Sequence, residues 1–252
     1  LHLGEKVMAY FTDEEKLHFK EQGYVVKRDV VPMHLIDKAV DVLWEEIEAD
    51  RDDPETWINA GPKGNLKCSN HPDVRATLTE TPIQDMCEEM VGKGTLAVSN
   101  YTFAKMIYPE GHDNWTPARQ MHLDGYTCEG VVDTFAIAVT VNINHVKPRS
   151  GGFSIWPGAH KRAYEYFKTH SLVNGLDAFR NTQGEYYDLP TPVDVTGPPG
   201  TVTFWHHLML HSPGVNCGRD IRMAFVSRFR RRDNNDMRFE TPDDMWEYWD
   251  GL

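Results

Sequence analysis

Thr134-Phe-Ala-Ile-Ala-Val-Thr-Val-Asn-Ile-Asn144 is the stretch that decides the fold. It is a run of β-branched and apolar residues with no Gly, Pro or charge, which specifies a strand. Shorter runs of the same texture flank it: Leu96 to Ile107, Gly152 to Trp156, Thr201 to Trp205 and Ile221 to Phe229, separated by Gly, Pro and Asn. Ala159 to Thr169 interrupts the series as a short helix. Upstream the pattern is helical. Asp13, Glu14 and Glu15 follow Thr12 as an N-cap, Gly23 ends that helix, and Tyr24-Val25-Val26 begins a short strand. A second helix is predicted from about Pro32 to Ala49 and a third around Thr81 to Val91. Helices followed by a procession of strands give an α+β, mainly β chain: a helical part over about 1–95, then a jelly-roll core over about 96–232. With no repeat or linker, residues 1–252 are expected to form a single domain.

Composition narrows the function classes. Hydrophobic residues make up 40% and charged residues 25% of the 252, as in an ordinary globular protein. The net charge of -12 argues against nucleic acid or an anionic membrane as partner. No apolar run approaches the roughly 20 residues of a membrane span, and the N-terminus carries no signal-peptide pattern. Cys68, Cys87, Cys128 and Cys217 are far apart, which disfavours a disulfide framework or structural zinc and suggests isolated buried thiols in a cytoplasmic protein. Nothing here fixes the oligomeric state.

Two histidine motifs offer metal chemistry. Composition alone predicts roughly two His-x-acidic matches in this chain, and two occur, His71-Pro-Asp73 and His122-Leu-Asp124. Asp73 precedes Val74-Arg-Ala-Thr-Leu78 and reads as a helix cap. His122 and Asp124 precede the clearest strand, and in extended chain their side chains share one face. A third ligand on a later strand is sought in His206-His207-Leu-Met-Leu-His211. His211 fits best because the turn Ser212-Pro-Gly-Val-Asn216 follows it, with His206 and His207 as alternatives facing opposite sides. Two imidazoles and one carboxylate cover one face of iron(II) and leave three positions open. A zinc hydrolase or a cupin-type metal enzyme without a keto-acid would accept the same ligands.

Arg222 discriminates. Alternation puts Ile221, Met223 and Phe225 on one face and Arg222 with Ala224 on the other, 11 residues beyond His211. A guanidinium aimed into a barrel beside a metal suits a bidentate grip on the far carboxylate of a keto-acid. The competing reading is a surface arginine in an Arg-rich stretch.

These pieces resemble the phytanoyl-CoA dioxygenase family of iron(II)/2-oxoglutarate oxygenases. Phe19-Lys-Glu-Gln-Gly23 looks like the family's opening helix, and His122-x-Asp124 like its first two ligands. Ser150-Gly-Gly-Phe-Ser-Ile-Trp-Pro-Gly-Ala-His160-Lys161 looks like its Pro-Gly-x-His signature. Gly200 to Phe204, His211, Asn216 and Arg222 resemble its closing segment. The resemblance implies a double-stranded β-helix (jelly-roll, cupin-like) core with flanking helices. It also implies Fe(II), 2-oxoglutarate and O2 as cofactors, with ascorbate as a stimulant. Metal would bind at His122, Asp124 and His211, and the keto-acid at Arg222. Lys105 matches a position where some relatives place a lysine near the cosubstrate, and Thr140 could face it from the long strand. The implied reaction hydroxylates an unactivated carbon of a small molecule. Relatives that halogenate replace the carboxylate ligand with a small residue, which Asp124 argues against.

Asn142 and Asn144 depart from the family pattern and predict a polar pocket wall, and Pro213 could remove one cosubstrate hydrogen bond. The loops Trp57 to Pro72 and Pro109 to Gln120 are expected over the substrate, with Trp57, Trp115, Arg119 and Gln120 as candidate contacts. Arg230-Arg231-Arg232 and the acidic, Trp-rich end read as a subunit contact or a solvated tail. The rival functions are the cupin-type metal enzyme and a non-catalytic ligand-binding jelly-roll protein.

Overall fold

Two antiparallel sheets face each other, and helices cover the outside of the larger one. The computed structural model describes residues 9–62, 66–117, 121–125, 132–182 and 184–252. Helix α1 (Asp13–Gln22) starts at a capping box in which Thr12 accepts from the Glu15 amide at 3.2 Å while Glu15 accepts from the Thr12 amide at 2.8 Å. It ends at Gly23, whose φ of 82° requires glycine in a left-handed cap. Strand β1 (Tyr24–Lys27), α2 (Met33–Trp44), α3 (Pro72–Thr79) and α4 (Ile83–Val91) follow. Helix α2 stops at Trp44, before the predicted Ala49. In α3 the cap is His71, whose side chain accepts from the Asp73 amide, so Asp73 lies inside the first turn and does not itself cap.

The remaining elements are β2 (Phe103–Ile107), β3 (Ile137–Asn142), β4 (Phe153–Ile155), α5 (Ala159–Phe167), α6 (Gly175–Arg180), β5 (Val193–Val195), β6 (Val202–His206), β7 (His211–Pro213), β8 (Arg222–Phe229) and α7 (Asn234–Met237). The major sheet has the order β1-β6-β3-β8-β2 and the minor sheet β5-β4-β7. Every pairing is antiparallel. This is the jelly-roll expected. The family's opening strand is absorbed into the major sheet, where β1 pairs with β6.

Alternation explains the layers. On β8, Ile221, Met223, Phe225 and Phe229 point outward into a core shared with α2, α3 and α4, while Arg222, Val226 and Arg228 point into the barrel. On β6, Val202 and Phe204 face out and Trp205 faces in. Each large side chain so buried contributes about 1.5–3 kcal/mol. The inner face of the major sheet meets Phe153, Ile155 and Val195 of the minor sheet.

The Pro157-Gly158-Ala159-His160 signature serves this architecture. The Gly158 amide donates to Gln22 O at 2.9 Å, the His160 Nε2 lies 3.1 Å from Lys20 O, and Lys161 pairs with Glu21 at 2.7 Å. It locks the end of α1 to the barrel. The C-terminal residues fold back over the same region, with Trp249 buried and stacked on His206 at 5.0 Å and Trp246 6.3 Å from Phe19, while Asp243, Asp244, Glu247 and Asp250 stay exposed. No helix among the described residues is long and apolar enough to cross a membrane.

Candidate metal centre and its cavity

Residue 122 does not sit in a full strand. It forms a single antiparallel bridge with His211, in which the His122 amide donates to His211 O at 3.0 Å and the His211 amide to His122 O at 3.2 Å. Leu123 turns away into the barrel core, so Asp124 returns to the side of His122. Gly125 then reverses the chain at φ 84°, and a Cβ there would lie 2.6 Å from Asp133 O. Only glycine fits directly after this carboxylate.

One ligand atom from each of His122, Asp124 and His211 lies within 4.8 Å of the others. His122 Nε2 is 3.3 Å and His211 Nε2 3.8 Å from Asp124 Oδ1. The donor set fits a divalent metal. His211 Nδ1 lies 3.0 Å from Met209 O, so the proton sits on Nδ1 and the Nε2 lone pair faces the other two ligands. Burial lowers the His211 pKa to about 4, so the ring is neutral at pH 7, as a metal ligand must be. Burial by itself would raise the Asp124 carboxyl. The hydrogen bond from His122 and the charges of His211 and Arg228 outweigh it and hold the group well below the usual carboxylate range.

His206 and His207 are not part of this centre. The strand ends at His206, so alternation fails there and the two rings stack on each other at 4.3 Å. His206 packs against Trp249, His160 and Phe19, and neither histidine lines the cavity. His71 and Asp73 sit 3.6 Å apart at an exposed helix start without a third ligand among the described residues.

A cavity of about 550 Å³ opens from the three ligands, within the usual range for small-molecule sites. Arg222 lines it and is 4% exposed, not a surface arginine. Among the described residues its Nε and Nη2 have no hydrogen-bond partner. Burial lowers its pKa to about 10, with Asp194 opposing, which still leaves a full cation at neutral pH. A buried cation with two unused donors can donate strongly to a carboxylate.

The other predicted residues separate. Lys105 lines the cavity from β2, opposite Ala224 of β8. Thr140 is buried outside the lining, and its hydroxyl accepts from Trp205 Nε1 at 3.2 Å. Trp205 in turn packs on His211 at 4.6 Å. Asn144 does not form pocket wall: it holds the start of β8 by donating to Ile221 O and accepting from the Met223 amide. Asn142 is buried on β3, and its Nδ2 has no hydrogen-bond partner among the described residues. Trp57 packs on Trp44 and donates to Asp50 O, and Trp115 is half-buried away from the cavity. Arg119, Gln120 and Cys128 lie outside the described residues. The long loops contribute Asn59 and Glu110 instead, tied together where the Asn59 amide donates to Pro109 O. Phe103, Tyr108, Phe153 and Arg228 complete a lining that no sequence motif announced, although the parity of β8 that selects Arg222 selects Arg228 as well.

A jelly-roll barrel with two histidines and an aspartate at one end of a cavity, and a buried arginine in its wall, defines a metal-dependent oxygenase of the double-stranded β-helix class. The chain belongs to the phytanoyl-CoA dioxygenase (PhyH) family, whose model matches residues 19–224. It is therefore a 2-oxoglutarate-dependent, non-haem iron enzyme that uses Fe(II), 2-oxoglutarate and O2. Solved structures share the fold. A non-haem alpha-ketoglutarate-dependent carbocyclase, SnoK, from nogalamycin biosynthesis is 19% identical at TM-score 0.64, with 95% of this chain and 96% of that one covered. The epimerase SnoN of the same biosynthesis is 17% identical at TM-score 0.53, covering 86% and 79%. EctD from S. alaskensis is 14% identical at TM-score 0.53, covering 90% and 79%. No curated protein matches by sequence.

Proposed function

We propose that the chain is a single-domain, cytoplasmic oxygenase that hydroxylates an unactivated carbon of a small molecule. In this reading His122, Asp124 and His211 hold iron(II) and Arg222 anchors 2-oxoglutarate. The observation that carries it is the buried Arg222, with two unpartnered donors, in the wall of the cavity that the three ligands close. Bound iron supplies the oxidative chemistry: 2-oxoglutarate is decarboxylated to succinate and carbon dioxide, one atom of dioxygen going to succinate and the other into the substrate C–H bond.

The protein positions and shields. Arg222 orients the keto-acid by its far carboxylate, with Lys105 as a second cation toward the same molecule. Thr140 fixes Trp205, which packs on the His211 ring and limits its rotation. Phe103, Phe153 and Val226 exclude water from the space where substrate sits. Neither nucleic acid nor membrane is required as partner. The purified protein with iron(II), ascorbate and 2-oxoglutarate should release succinate and carbon dioxide in the presence of a broad metabolite panel. Iron uptake with no keto-acid consumption under any condition would overturn the assignment.

A further inference from the structure

Arg228 is a cation of the cavity to which the proposed chemistry gives no ligand. It lies on the inner face of β8, six residues beyond Arg222, so the two Cα atoms stand about 20 Å apart along the strand. The two guanidinium groups address different ends of the cavity. Arg222 feels Asp194, whereas the charge of Arg228 reaches Asp124 and His211. A keto-acid of five carbons anchored at Arg222 does not need it.

The setting of Arg228 is that of a held but uncommitted cation. Its guanidinium carbon lies 5.0 Å from the ring centre of Phe103 and 5.8 Å from that of Phe135. Two aromatic faces thus restrain it without using its hydrogen-bond donors. The neighbouring acid is taken: Asp133 pairs with Arg230 at 2.7 and 2.8 Å. Arg231 is likewise paired, with Asp233. Among the described residues Arg228 makes no hydrogen bond or ion pair. It stands where the cavity meets an outer depression formed by Ala97, Val98, Tyr101 and Phe103, so any ligand entering from that side passes it.

Charge balance points the same way. Asp194 and the keto-acid answer Arg222 at the far end, whereas no acid among the described residues pairs with Arg228 at its own end. The net charge of -12 belongs to the whole chain, whereas Lys105, Arg222 and Arg228 all line this cavity.

We propose that Arg228 is the specificity-determining residue of this enzyme and that its substrate carries one carboxylate, bound by Arg228, next to an apolar body that rests on Phe103 and Tyr101. A single carboxylate matches the one guanidinium at that end. The proposal rests on the iron(II)/2-oxoglutarate reading of the same cavity.

The test is anaerobic calorimetry on the protein loaded with iron(II) and saturating 2-oxoglutarate. The probes are 3-phenylpropionate, hexanoate and decanoate, each beside its primary amide. At least one acid should bind about tenfold more tightly than its amide, as expected for a charge-assisted contact. Arg228→Gln should erase that preference and Arg228→Lys should keep part of it. Amides binding as well as acids, a preference that survives Arg228→Gln, or no binding of any acid would overturn the proposal. Loading is read separately from the visible charge-transfer band that 2-oxoglutarate induces on bound iron(II). Absence of that band in the parent protein would refute the iron/keto-acid reading itself, and its persistence in Arg228→Gln shows that the variant is folded and loaded.

Discussion

His122 and His211 exchange both of their backbone hydrogen bonds, at 3.0 and 3.2 Å, and their rings lie 4.3 Å apart. Two of the three proposed ligands, 89 positions apart in sequence, are therefore a hydrogen-bonded cross-strand pair whose spacing the backbone sets before any metal arrives.

That separation of backbone from side chain makes a clean variant. His211→Ala keeps the pairing and removes the ligand, so bound iron should fall from about one per chain to near zero. The gap beside Trp205 and Phe153 should cost about 2–4 kcal/mol in urea unfolding of the metal-free protein. Stoichiometric iron in this variant would move the centre elsewhere.

Arg222 is a buried cation whose Nε and Nη2 have no hydrogen-bond partner among the described residues, with the charge of Asp194 its partial compensation, so it should cost stability and serve binding. Arg222→Leu is expected to weaken 2-oxoglutarate binding by about 2–4 kcal/mol, or roughly 30- to 1,000-fold. The same change should leave the thermal midpoint of the keto-acid-free protein equal or higher, because a buried charge with two unpaired donors is gone. A lowered midpoint with unchanged keto-acid affinity would show a purely structural arginine.

Burial lowers the pKa of His160 and of His207 to about 4, and that of His206 well below its ordinary value, and all three stay neutral in the fold. The unfolded chain takes up these protons near pH 6.5 and the folded chain only near pH 4, so stability is flat above 6.5 and falls as pH drops through that window. His160 alone should contribute on the order of 3 kcal/mol of this loss. In urea midpoints measured against pH, His160→Asn should flatten the acid limb by about one proton. An unchanged limb would mean that His160 titrates normally.

Asn216 holds the turn between His211 and Arg222. It is fully buried, donates to Ile107 O at 2.8 Å and Asp220 O at 2.9 Å, and accepts from the Gly218 amide at 2.9 Å. Asn216→Ala leaves those groups unsatisfied and should destabilise the protein by about 2–3 kcal/mol in chemical unfolding. Because the turn sets the register of β8, 2-oxoglutarate affinity should weaken as well, while iron binding persists. A variant as stable as the parent would contradict this role.

Much of this was legible in the residues. The alternation of Ile221 to Phe229 shows which way Arg222 points, and the turn after His211 marks where a ligand can sit. What escaped was governed by contacts between distant segments. Whether His206 or His211 meets His122 depends on where β6 stops, one residue earlier than alternation would need. Trp57 and Trp115 resemble substrate contacts by composition, yet Trp44 holds the first, and the cavity is reached by Asn59 and Glu110 instead. Arg228 was hidden among five other arginines, and only the aromatic pair around it sets it apart.

The most direct test is an anaerobic titration of the iron(II) protein with 2-oxoglutarate, followed by absorption. One equivalent should produce a visible charge-transfer band in the parent protein, and neither His211→Ala nor Arg222→Leu should show it at the same concentration. Iron bound in full at His122, Asp124 and His211, with no band at saturating 2-oxoglutarate, would contradict the account.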